Sequence, residues 1–501
     1  MNSKRIAKNT FLLYIRMFFI MIVSFYTTRV VFNNLGVVDY GIYNVVGGVI
    51  ALFSFLKVSM TSSTQRYITF ELGKGDVERL KSVFSTSVQI HFCISVIFLL
   101  LSETIGLWFL YNKLVVPVER MDAAFWVYQC SVVVAINNII SVPYNADIVA
   151  HEKMSAFAYI SVIEVLLKLI IAFLIDISSY DKLKFFSILH LFSSVIIRYI
   201  YIRYCSMHFE ESVYRHEINI SLLKTMSSFA GWSLFGNIAY LLYSQGLNIM
   251  LNIFFGPAVN AARGVAVQVQ GVVQRFVSDF QTALNPQITK SYASDRISDM
   301  HTLMFRSARF SFFLLFFLCL PILLETDMIL FFWLKKVPDN SAIFLRIILC
   351  ISLIYCIANP MIFANQATGD VKKYQIVCGM ILLAILPISY FFLSMGYPAY
   401  IVFVVHFLLE IICQGARMYM LRNQIKISIK DCFQHIYFPI ISVVITSLFL
   451  PLFFHLLLST GIFRFFCVSF FGGVSVLFSS YLLGFEKNEK MYFRKLIKDR
   501  L

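Results

Sequence analysis

The chain has 501 residues, 59% of them hydrophobic and only 14% charged, with a formal net charge of +15. A mean hydropathy of +0.78 excludes a soluble globular protein, which needs far more polar surface. The lack of short alternating segments excludes an outer-membrane barrel. The basic excess is spread over short connections and the chain ends, so no nucleic-acid partner is expected.

Apolar runs long enough to cross a bilayer as helices recur along the whole length. They fall at 10–32, 41–62, 83–110, 122–143, 157–175, 184–205, 229–252, 264–286, 309–332, 343–364, 375–394, 399–421, 437–458 and 464–484. The expected fold is therefore an all-α polytopic membrane protein with about fourteen transmembrane helices. The opening MNSKRIAKNT runs into the first apolar segment without a small-residue cleavage pattern and reads as an uncleaved first span. An even number of spans puts both termini on one side. Basic residues in short loops mark the cytoplasmic side: Lys4, Arg5 and Lys8; Arg66, Lys74, Arg79 and Lys81; Lys290, Arg296, Arg306 and Arg309; and the tail FEKNEKMYFRKLIKDRL. The connections NNLGVVDY and SMGYP have none and belong outside. The longest polar stretches, around 63–82, 206–228 and 287–308, leave no room for a soluble catalytic domain, so no enzyme activity is expected.

The ten cysteines are scattered through apolar segments without CxxC spacing, and the nine histidines show no HExxH pattern. Neither a disulfide framework nor a metal or other cofactor is expected.

Two hairpins look alike. The first span ends in NNLGVVDYGIYNVVGGV and the seventh in NIFFGPAVNAARGVAVQVQGV. Each places a glycine turn, Gly36 or Gly256, before a helix whose glycines are spaced by seven (Gly41 and Gly48; Gly264 and Gly271). Parallel repeats of this kind occur in transporters; the competing reading is that small residues recur by chance in hairpins.

Several polar side chains lie where hydrocarbon is expected. In the eighth span Gln268, Gly271, Arg275, Asp279 and Thr282 share one helical face. Arg275 sits near the centre, where a guanidinium costs about 2.5–3.5 kcal/mol on insertion scales. It either engages an anionic group through its planar fork or is neutralised by Asp279, four residues on. The seventh span carries Asn237, Ser244, Asn248 and Asn252, with Tyr240 at the edge; these suit sugar hydroxyls or helix–helix hydrogen bonds. Arg16, Arg29, Lys57 and Arg198 line a cavity or reach an interface by snorkelling. Glu164 and Lys168, in acid-before-base order, read as a structural pair. Glu410 with His406 is a candidate ion-coupling pair, to which Asp279 is added; the alternative for Glu410 is a satisfied contact between helices.

The segments NNLGVVDYGIYNVVGGV, TQRYITFELGKGDVERLKSVF, VPYNADIVAHEKMSAFAYIS and FFGPAVNAARGVAVQVQ resemble the polysaccharide-export branch of the multidrug/oligosaccharidyl-lipid/polysaccharide (MOP) exporter superfamily, specifically O-antigen and capsule flippases of the Wzx type. The resemblance implies two six-helix lobes, at 1–215 and 216–430, followed by two further helices and a basic tail at 431–501. It implies translocation of undecaprenyl-diphosphate-linked oligosaccharides across the bacterial inner membrane for surface polysaccharide biosynthesis, among membrane lipids and beside a polysaccharide polymerase and other assembly proteins. Arg275, Arg16, Arg198, Arg29, Lys57, Gln268, Asp279, Asn237 and Asn248 are then the expected substrate-binding residues. Two alternatives stand beside it. A cation-coupled multidrug exporter of the same superfamily calls for buried carboxylates in the first or seventh span, and neither has one. A membrane polymerase or glycosyltransferase calls for a large periplasmic loop, whereas connections such as DISSYDKL and WLKKVPDNSA are short.

Overall fold

A computed structural model describes residues 3–491 apart from 52, 53, 115 and 218, and leaves out the side chains of 3–8, 37, 45, 48–51 and 54–59. Among the described residues every regular element is a helix, as a backbone without water to bond requires. The chain divides into two compact units, Met1–Asn237 and Ile238–Leu501.

The first unit holds α1 (Ser3–Ala51), α2 (Ser54–Lys74), α3 (Val77–Leu101), α4 (Leu107–Asn112), α5 (Met121–Ile140), α6 (Val142–Ala150), α7 (Met154–Ile177), α8 (Lys182–His208) and the start of α9 (Ile220–Phe255). α1 packs along α7, α5 along α8 and α2 along α6. Val31, Leu35, Val127, Ile171 and Ile175 meet in one core. At one end Arg120 grips Asp39 through Nε and Nη2, at 2.8 and 2.6 Å, and Asp181 through Nη1 at 2.5 Å. Asp181 also caps α8, accepting from the backbone N–H groups of Leu183 and Lys184.

The second unit holds the rest of α9, then α10 (Pro257–Ala293), α11 (Ile297–Leu324), α12 (Thr326–Leu334), α13 (Ser341–Thr368), α14 (Lys372–Leu383), α15 (Ile385–Ser394), α16 (Ile401–Gln424), α17 (Ile429–Cys432), α18 (Phe438–Leu457) and α19 (Ile462–Ser479). α13 is central, packing on α10, α11 and α16, while α18 and α19 pair with each other and lie against α11. Leu247, Val273, Phe316, Leu349, Met361 and Phe403 belong to a single core.

Among the described residues eleven helical segments are long and apolar enough to cross a membrane, and they match eleven of the expected spans. The other three expected positions are occupied by the end of α1 with α2, by α7 and by α10.

Gly36 has φ 75° and ψ 176°, and Gly256 has φ 77° and ψ −176°. Both occupy a region essentially confined to glycine, so the two similar hairpins turn by the same backbone conformation. A Cβ at Gly36, Gly256 or Gly264 would meet nothing within 4 Å. The cost of Gly256→Ala is therefore one of backbone alone, about 1–3 kcal/mol. Gly264→Ala, inside α10, is expected to gain up to about 1 kcal/mol. Thermal unfolding in detergent should lower the Tm for the first and hold or raise it for the second.

The segment after α19 is held by a charge cluster. Arg309, 1% exposed, donates from Nη1 to Glu486 at 2.7 Å and from Nη2 to Glu489 at 2.8 Å. Burial pushes the Glu486 carboxyl up, but the charge and hydrogen bond of Arg309, helped by His435, hold it below the usual carboxylate range. Stability from this pair is thus complete above the ordinary glutamate pKa and lost as pH falls through the lowered one. Arg309→Ala leaves Glu489 with Arg306 and the partly exposed Glu486 with His435, so it should lower the Tm by less than the loss of a fully isolated buried pair would. It should also flatten the acid limb of a Tm-against-pH profile.

Candidate functional site

In the first unit the sequence-selected residues lie on α1, α2, α7 and α8, with Asn237 on the first-unit part of α9. Arg16, half-buried on α1, stacks its guanidinium 4.5 Å over the Phe157 ring. Arg198, half-buried on α8, donates from Nη1 to Asn137 Oδ1 at 3.0 Å, and Asn137 Nδ2 donates to Ser194 at 3.1 Å. On α7 Lys168 Nζ bonds Glu164 at 2.6 Å, the pair expected from their spacing. Arg29 is exposed, and the side chain of Lys57 lies outside the described residues. A cavity of about 200 Å³ opens between α1, α7 and α8, lined by Thr27, Tyr43, Lys168 and His190 among others. A second, of about 170 Å³, shares Tyr43 and His190 with it.

In the second unit the polar stripe of α10 has a structural basis. Ala262, Ala266, Val273, Val277 and Leu284 are buried and turn one side of α10 into the core. Gln268 and Arg275 are exposed on the other, and Asp279 is half-buried. Arg275 has no hydrogen bond or ion pair among the described residues. α9 repeats the arrangement: Ala239, Tyr243, Leu247 and Leu251 are buried, while Asn237 and Asn248 are half-buried and Tyr240 is exposed.

Two basic residues that the sequence reading did not single out shape this interior. Arg263, half-buried on α10, donates from Nη2 to the Ser244 carbonyl at 3.0 Å and to its hydroxyl at 3.3 Å. Its buried Nε is left unpartnered, and no carboxylate pairs with it among the described residues. On α16 Arg417, 3% exposed, donates from Nη1 to Glu410 at 2.6 Å and to Gln414 at 3.2 Å. Gln414 in turn donates to the Tyr437 hydroxyl at 2.9 Å. Glu410 is thus committed to a cation two turns along its own helix, a seven-residue spacing visible in the sequence. His406 meets Tyr243 edge to face, with ring centroids 5.1 Å apart.

A buried ion pair is costly to split and cheap to replace whole. Glu410→Gln or Arg417→Met alone should destabilise by about 3–5 kcal/mol. Glu410→Leu with Arg417→Met together should recover most of that loss, as read by thermal unfolding of the single and double variants.

No family model matches the chain, and no curated protein sequence matches it. Solved structures do. An outward-facing multidrug-resistance MATE transporter of the MOP superfamily superposes with a TM-score of 0.68 at 14% identity, over 84% of this chain and 96% of the other. A MATE crystal structure in its bent conformation gives 0.70 at 14% identity, over 85% and 95%. A MOP superfamily transporter from Pyrococcus furiosus, described as having a binding pocket of reverse polarity that suggests a different function, gives 0.63 at 14% identity, over 84% and 96%. The chain therefore has the fold of the MATE transporters of the MOP superfamily.

Proposed function

We propose that this chain is a MOP-type membrane transporter that moves an anionic, lipid-linked oligosaccharide by alternating access. The observation that carries the cargo class is the half-buried Arg263 guanidinium, with an unpartnered Nε and no carboxylate against it among the described residues. Arg275 adds to it. A guanidinium facing hydrocarbon is expensive, so the exposed face of α10 that carries Arg275 and Gln268 is best read as a wetted one. Basic donors of this kind suit a diphosphate, which accepts paired charge-assisted hydrogen bonds. The amides and phenol of α9 (Asn237, Asn248 and Tyr240) suit sugar hydroxyls. The resemblance of the hairpin and loop segments to polysaccharide flippases supplies undecaprenyl diphosphate as the lipid. With it come the bacterial inner membrane, cytoplasmic termini and a polymerase as assembly partner. In the first unit, Arg16 and Arg198 are candidate contacts for anionic groups in their own right.

A second reading has its own support. The fold likeness is to multidrug transporters, so cation-coupled drug export is at least as well supported by the fold. The P. furiosus relative, with its reversed pocket polarity, is a precedent for weighing interior charge alongside fold. In this chain Glu410 and Glu164 are each already paired with a basic residue, leaving neither as a free carboxylate for a cation.

Arg275→Ala and Arg263→Ala should each abolish display of surface polysaccharide in cells while protein levels stay normal. In vesicles the wild type should flip undecaprenyl-diphosphate sugars, and both variants should be impaired. Normal polysaccharide display in both variants, together with gradient-driven ethidium efflux by the wild type, would establish the drug-exporter reading instead.

A further inference from the structure

Away from the interior of the spans, the end of α6 and the turn after α8 bring three metal-ligating side chains together. Asp147, fully buried, and His151 lie four residues apart at the end of α6 and just beyond it, so they share a face. Glu211, 4% exposed, comes from the segment leading into α9. One ligand atom from each lies within 4.8 Å of those from the others. His151 Nε2 is 2.5 Å from Glu211 Oε1 and 3.7 Å from Asp147 Oδ1. The imidazole lies flat against Phe209, with centroids 4.1 Å and planes 10° apart, which fixes the plane of the ring.

Hydrogen bonding leaves this cluster incomplete. Ser212 donates to Asp147 Oδ2 at 2.6 Å, whereas buried Asp147 Oδ1, 3.7 Å from His151 Nε2, accepts no hydrogen bond among the described residues. Asp147 and Glu211 also face each other closely, and two carboxylates brought together in a buried position repel unless a cation or a shared proton stands between them. A divalent ion removes the deficit, because two carboxylates balance its charge and neutral imidazole completes the donor set. Metal–donor bonds of about 2.0–2.2 Å set neighbouring donors about 3.3 Å apart, a spacing that small rotations of these side chains reach.

We propose that Asp147, His151 and Glu211 form a divalent transition-metal site, for Zn2+ or Mn2+, that pins the α6–α7 corner to the segment entering α9. Mixed imidazole and carboxylate donors suit these ions. The sequence offered no clue, since the third ligand lies sixty positions beyond His151 and no recognised spacing links them.

The test uses the full-length, tag-free protein in detergent, stripped with chelator and titrated separately with Zn2+ and Mn2+. Calorimetry should give saturable binding of one ion per chain, and the ion should raise the Tm by several degrees, reversibly on adding EDTA. Asp147→Asn should abolish both effects. As that position is fully buried, His151→Ala at a partly exposed one provides a second variant, with affinity expected to fall by about tenfold or more. Absence of saturable binding by the wild type, or wild-type affinity retained in His151→Ala, overturns the proposal. Neither result bears on the transport reading, which uses other residues.

Discussion

A charge removed from water has to be answered locally, and much of this protein's polar architecture follows from that constraint. Arg309 is answered by Glu486 and Glu489, Arg417 by Glu410, and Arg120 by Asp39 and Asp181. Each arrangement also joins segments or turns of helix that apolar packing alone would leave free to slide. Arg120 collects three connections of the first unit. Arg309 brings the segment after α19 onto α11. In a molecule whose helices are apolar nearly all round, such contacts specify register where leucine and phenylalanine cannot.

The same constraint makes the exceptions informative. Arg263 bonds only a serine, and Arg275 has no partner among the described residues. Arg198 rests on an amide rather than a carboxylate. Natural folds seldom retain a cation in an apolar segment without an acid unless something anionic arrives or water reaches it. The anionic cargo proposed above rests on that inventory rather than on the fold, because the fold is common to transporters described as differing in pocket polarity.

Helix positions were legible in the sequence because hydrophobic length is a direct physical demand of the bilayer. The α10 stripe was legible too, since residues spaced by three, four and seven must share a face. The glycine turns at 36 and 256 were readable as turns, and the structure adds that their backbone angles coincide. What escaped were the pairings. Arg417 lies seven residues after Glu410 on the same helix, but the sequence reading attached Glu410 to His406 because that neighbour is one turn closer. Arg263 has no local signature in the sequence; its contact with Ser244 of α9 is a tertiary fact. The Asp147, His151 and Glu211 cluster depends on how the turn after α8 returns to α6, a tertiary fact with no local signature.

The two hairpins share a turn, but helices of the two units treat charge differently. α7 of the first unit neutralises its lysine within the helix, Lys168 with Glu164. α10, which follows the equivalent glycine of the second unit, carries both Arg263 and Arg275 without a carboxylate for either among the described residues. A repeat conserves backbone geometry because the turn tolerates only glycine there, whereas side chains on wetted faces are free to diverge. Asp279 stands one turn from Arg275 but forms no ion pair with it among the described residues, so the helical spacing alone has not neutralised that cation. On the proposed function, an anionic cargo would supply the negative charge that Arg263 and Arg275 lack.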